Sequence, residues 1–111
     1  MKLEEKKYLL DVLLAINDLH EILGNEKKFE NFIASIALIR ASERQFEIIG
    51  EAIRKLKALN PNLEITHSKE IINLRNRIAH AYDSIDYEQL WGIIVNHIPQ
   101  LKSEIEALLN N

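Results

Sequence analysis

The run EKKFENFIASIALIRASERQFEIIGEAIRKLKAL, Glu26 to Leu59, decides the fold of this chain. It holds one glycine and no proline. Phe32, Ile36, Ile39, Glu43, Phe46, Gly50 and Ile53 recur along it at alternating steps of four and three, the spacing of a seam between antiparallel helices. That spacing predicts one long helix from Glu26 to Leu59, stopped at Asn60-Pro61. Two seam members are not large and apolar. Gly50 costs a helix interior about 1 kcal/mol relative to Ala, and close approach by another helix is the usual reason to tolerate it. Glu43, if buried on the seam, needs a cationic partner, and Arg75 and Arg77 are the candidates. Otherwise it lies at the seam's edge in solvent, beside Arg40 or Glu47.

Working outward, Leu9, Val12, Leu13, Ile16, Leu19 and Leu23 share one helical face and predict a first helix from about Leu3 to Leu23, closed by a left-handed cap at Gly24-Asn25. The segment NPNLEIT, Asn60 to Thr66, reads as a loop. A third helix follows with Thr66 or Ser68 as its N-cap and Ile71, Leu74 and Ile78 as its buried stripe. Asp86 with Gln89 resembles a capping box for a fourth helix, along which Tyr87, Trp91, Ile94, Ile98, Leu101, Ile105 and Leu108 repeat the four-three spacing. Pro99 should kink that helix. β-Hairpin signals are absent. The expected fold is all-α: one domain over residues 1–111, an up-and-down four-helix bundle with helices two and four long.

Bulk properties narrow the function. The chain has 111 residues, enough for one core and too few for two. No apolar run nears the roughly 18 residues that cross a membrane, and the opening MKLEEKKYLL carries acids where a signal peptide would not, so a cytoplasmic protein is expected. The absence of cysteine excludes disulfides and thiolate metal sites. His20, His67 and His97 are scattered, and the lone Glu64-x-x-His67 lies at a loop, so no metal site and no cofactor is indicated. A glycine-rich phosphate loop is also missing. Net charge is −3, which leaves no broad basic face for sequence-independent nucleic-acid binding. Any nucleic acid must be met at a small cationic site.

One stretch supplies such a site. LRNRIAHAY, Leu74 to Tyr82, packs two arginines, an asparagine, a histidine and a tyrosine into nine residues. Taken singly, Arg75 and Arg77 read as solvated helix residues, His80 as a satisfied histidine and Tyr82 as an interface aromatic. In helical register Arg75 and Tyr82 share a face, whereas His80 lies roughly 140° round from the arginine. Either the helix loosens before His80, or a second copy of the motif supplies the missing group.

The pattern R-x4-H-x-Y, with the upstream SERQFEIIGEAIRKL (Ser42 to Leu56) and the IDYEQLW segment (Ile85 to Trp91), resembles the HEPN superfamily, and more closely the HepT toxins of HEPN/MNT toxin-antitoxin pairs. The resemblance implies a metal-independent endoribonuclease. It makes His80 the acid/base group and Arg75 the phosphate clamp, with Asn76 orienting phosphate or histidine and Arg77 adding charge; Glu43, from its place on the seam, is a supporting candidate. It also implies a homodimer whose paired motifs form one composite site. The MNT partner, a minimal nucleotidyltransferase antitoxin, would transfer AMP to Tyr82 and so block RNA. The competing reading is a non-catalytic helical subunit that binds RNA or such a nucleotidyltransferase.

Overall fold

A computed structural model describes residues 1–80 and 85–110. Among these the chain is helical, with no strand: α1 Leu3–Leu23, α2 Phe29–Ile33, α3 Ile36–Leu59, α4 Ser68–Ala79, α5 Tyr87–Asn96 and α6 Ile98–Leu109. The six helices stand for the four rods expected, α2–α3 and α5–α6 each taking the place of one rod that is interrupted. Helix α3 is central. It packs against α1 on one side and α4 on another, while α6 covers α1.

The first helix has the expected bounds, with Leu9, Val12, Ile16 and Leu19 buried. Gly24 ends it with a positive φ of 74° and its N–H on the carbonyl of His20. Its ψ of −175° is extended, however, so the cap is a glycine turn outward and not a left-handed helical one.

The long second helix is interrupted at Ala34-Ser35, and residues 26–28 are not helical. Ser35 is extended, and its Oγ accepts the Leu38 N–H at 3.2 Å, which makes it the N-cap of α3. The break leaves Phe32 buried against Phe29 and Trp91, with ring centroids 6.4 and 5.0 Å away. It also rotates Ile36 off the seam, to 73% exposure. From Ile39 onward the seam holds: Ile39, Glu43, Phe46, Gly50 and Ile53 are all buried.

Helix α4 starts at Ser68, but neither Thr66 nor Ser68 caps it. His67 stands at that position in the left-handed region (φ 63°, ψ 17°) without a side-chain cap. Tertiary contacts hold it there: its ring stacks on His97 at 3.7 Å, its Nδ1 lies 3.3 Å from Glu70 Oε2, and the Thr66 N–H donates to Glu104 Oε2. Asp86 does cap α5, accepting from the N–H groups of Glu88 and Gln89. The fourth rod breaks fully at His97. Pro99 falls in the first turn of α6, where a missing N–H costs nothing, so it sits at a helix start and kinks no continuous helix.

Candidate active site

Arg75 is the best-held member of the motif, and the reason lies in α3. A β-carbon added to Gly50 would stand 2.5 Å from Arg75 Cβ and 2.7 Å from Arg75 Cγ, and 3.6 Å from the carbonyl oxygen of Ile71. The missing side chain is therefore the space that the arginine stem occupies. The close approach expected at Gly50 is thus made by α4. Beyond the stem, Arg75 Nη2 lies 3.3 Å from Glu51 Oε2, and Nη1 donates to Asn76 Oδ1 at 3.2 Å. Its Nε is buried and finds no hydrogen-bond partner among the described residues.

Glu51 is itself gripped. Arg54 donates to it through Nη2 at 2.6 Å and Nε at 3.1 Å. These partners hold the Glu51 carboxyl below the usual carboxylate range: the Arg54 hydrogen bond contributes most, partial burial opposes it, and the charges of Arg54, Arg75 and Lys55 add to it. Arg75 and Glu51 line a groove of about 260 Å³ between α1 and α3, which Lys7, Tyr8, Arg44 and Lys55 also line.

The other motif members are placed differently. His80 is exposed at the first position past α4, with φ −90° and ψ 1°, and its N–H donates to the carbonyl of Asn76. The helix therefore ends just before the histidine. Arg77 is exposed and donates to Gln89 Oε1 at 2.9 Å, taking the side chain that would have completed the capping box of α5. Tyr82 lies outside the described residues. Glu43 is buried, yet its bonded partner is Arg40, at 2.9 Å and one turn earlier on the same helix, and not Arg75 or Arg77. That bond is the main cause that raises the Arg40 guanidinium further, with Tyr87 second. Glu51 fills the place that Glu43 was expected to fill. Its signal in the sequence was adjacency to Gly50, the one point where α4 had to come close. Among the described residues, no group of three or more His, Asp or Glu side chains is arranged to hold a metal ion.

An all-helical bundle with an Arg-Asn pair anchored at a helix crossing and a histidine at the helix end defines a class of protein, and comparison with known chains narrows it. A family model described as "Ribonuclease HepT-like" matches residues 12–108. This chain belongs to that family, within the HEPN superfamily. A Thermococcus cleftensis chain named as a probable ribonuclease HepT is 35% identical over 97% of this chain and 98% of its own length. A Methanocaldococcus jannaschii chain named as a candidate RNase is also 35% identical, over 96% of this chain and 98% of its own. A third chain, from Caldanaerobacter subterraneus subsp. tengcongensis and likewise named as a candidate RNase, is 34% identical over 73% of each. No solved structure matches.

The depressed Glu51 carboxyl carries a pH signature. Its folded-state value lies below the unfolded one, so the ion pairs stabilise the fold above the ordinary glutamate value of about 4.3 and lose that contribution as pH falls through the lower, folded value. Glu51→Gln removes the ionised group. The Tm gap between wild type and Glu51→Gln should be open near neutral pH and close in strong acid, and a gap of constant size across that range would contradict an ionic role for Glu51.

Proposed function

We propose that this chain is a metal-independent endoribonuclease, acting in the cytoplasm as the HepT-like toxin of a toxin-antitoxin pair. The observation that carries the reading is the arrangement of Arg75. Its stem is seated at Gly50, its guanidinium is anchored at both ends and faces an open groove, and an exposed histidine ends the same helix.

The chemistry follows from what these groups can do. A guanidinium offers five N–H donors in a planar fork. With one donor on Nη2 turned to Glu51 and one on Nη1 turned to Asn76, each Nη keeps a second donor for phosphate oxygens. Arg75 is thus the clamp that holds the scissile phosphate and offsets charge on the pentavalent phosphorus. With Asn76 Oδ1 turned to Arg75, its amide nitrogen is left to donate to phosphate or histidine. His80 is the proton carrier: it takes the proton from the ribose 2′-OH or gives one to the departing 5′ oxygen. The 2′ oxygen bonds to phosphorus as the bond to the 5′ oxygen breaks, leaving a 2′,3′-cyclic phosphate and a free 5′-OH.

Two proton transfers call for two acid/base groups, and one chain offers one histidine in the motif. A homodimer that brings two motifs together supplies both, so we place the active site at a two-fold interface. Arg77 adds local charge there. Glu43, bound to Arg40, takes no part in this mechanism. Tyr82 is the AMP acceptor for a minimal nucleotidyltransferase antitoxin, because a bulky anion close to Arg75 in sequence would compete with RNA for the clamp.

Purified protein incubated with RNA in EDTA should yield cyclic-phosphate ends. His80→Ala or Arg75→Ala should lower that activity by at least about 100-fold without loss of helicity. Folded His80 or Arg75 mutants that still cleave at the wild-type rate would overturn the assignment. Co-expression with a minimal nucleotidyltransferase of the proposed antitoxin class should add AMP to the Tyr82 peptide, as read by intact mass and fragmentation. The same mass gain in Tyr82→Phe would remove the tyrosine from this role.

A further inference from the structure

Surface ion pairs usually contribute little, because two long side chains must give up freedom to meet. The pair of Glu51 and Arg75 escapes that discount on geometric grounds. Only 28% of the Glu51 side chain and 24% of the Arg75 side chain is exposed. Both carboxylate oxygens are already engaged by Arg54, at 2.6 and 3.1 Å, so Glu51 has been ordered before Arg75 reaches it. The arginine stem is confined as well, since its Cβ and Cγ occupy the volume that any side chain at Gly50 would fill. Two independent restraints therefore act on one side chain: a steric one at its root from Gly50 and an ionic one at its tip from Glu51. They are adjacent in sequence because they face the same helix crossing.

We infer that Glu51 is the positioning residue of this site, holding the Arg75 guanidinium in its working orientation before RNA arrives, with Arg54 keeping the carboxylate in place. This rests on the ribonuclease reading above for its consequence, though not for its geometry. An unrestrained arginine loses rotamer entropy when it is fixed. Here that loss is incurred on folding and not when phosphate binds. Placement has an electrostatic cost, because the carboxylate that aims the arginine also repels an incoming phosphate. Arg54 offsets it, leaving the Arg54, Glu51 and Arg75 triad at a net charge of +1. Two opposite effects on catalysis follow. Removing the negative charge of Glu51 relieves the repulsion and leaves ground-state binding of RNA no weaker, while loss of aim slows the chemical step. A carboxylate that merely stabilised the bundle would instead lower the amount of active protein and leave KM and kcat of the folded fraction alone.

The experiment compares wild type, Glu51→Gln, Glu51→Ala and Arg54→Ala in steady-state cleavage of a short RNA. Alongside it, the Arg75 Nε–Hε signal is recorded by NMR and assigned by its loss in Arg75→Lys. Glu51→Gln and Glu51→Ala should lower kcat by roughly 10- to 100-fold with KM not raised, in line with the cost of misplacing a reacting group. Arg54→Ala should raise KM, because it leaves the repelling carboxylate uncompensated. The Arg75 Nε–Hε signal should shift or broaden in both Glu51 variants. Wild-type kcat in Glu51→Ala with an unmoved Arg75 signal would overturn the inference while leaving the ribonuclease reading intact. If wild type cleaves nothing, the ribonuclease reading fails by itself. The NMR signal then still decides whether Glu51 holds Arg75, and an unmoved signal again overturns the inference.

Discussion

The absence of a side chain at Gly50 is the constraint on which the rest of this structure depends. Glycine in the middle of a helix costs about 1 kcal/mol, and α3 carries that cost at its most crowded point. What offsets it is the docking of α4. Ile71, Leu74 and Ile78 are buried on that helix, and each such burial is worth about 1.5–3 kcal/mol, so the crossing wins by a wide margin. The same contact fixes where Arg75 emerges, which ties the stability of the bundle to the geometry of its candidate site. A helix that met α3 at larger separation would still bury some apolar area, but its arginine would have no fixed root.

Charge is distributed in keeping with this. The chain is acidic overall, at −3, and so attracts no polyanion over its whole surface. Of the cations at or beside the groove, Lys7 pairs with Asp11, Arg54 with Glu51, and Arg75 with Glu51 and Asn76, while Arg44 and Lys55 also line it. The anchored Arg75 guanidinium suits recognition of one phosphate in one pose, because its positive charge is held in place. It also makes the site sensitive to any neighbour that changes the local balance, in keeping with the proposed silencing by an anion attached near Arg75.

Features set by local sequence were legible, and features set by distant contacts were not. The bounds of α1, the stop at Asn60-Pro61 and the Asp86 cap each depend on a few adjacent residues. The interruption at Ser35 was hidden because the four-three spacing runs straight through it, and only the exposure of Ile36 reveals that the register is broken. His67 could not be foreseen as the start of α4, since its backbone is held by His97, thirty positions away. In the candidate site, Arg75, Asn76 and His80 stood out through their spacing. Glu51 did not, because it is one of three acids on α3, and its partner in the motif belongs to another helix. Reading Gly50 as the point where another helix comes close, and then weighing the charged residue next to it in sequence, would have found it. Glu43 misled for the complementary reason. Of the two readings open for it, burial on the seam holds, but the partner is Arg40 from the other reading, a guanidinium one turn away and near enough to satisfy it.

The central claim is that the vacancy at Gly50 is filled by Arg75, and a matched pair of glycine substitutions tests it. Gly92 also lies inside a helix, α5, yet a β-carbon there would meet nothing within 4 Å. By helix propensity alone, alanine should stabilise either position by up to about 1 kcal/mol. Urea unfolding of the two variants should therefore give opposite signs, with Gly92→Ala more stable than wild type and Gly50→Ala less stable. A Gly50→Ala protein that gains stability as Gly92→Ala does would contradict the account, because it would mean that α4 and its arginine do not rest on α3 at that residue.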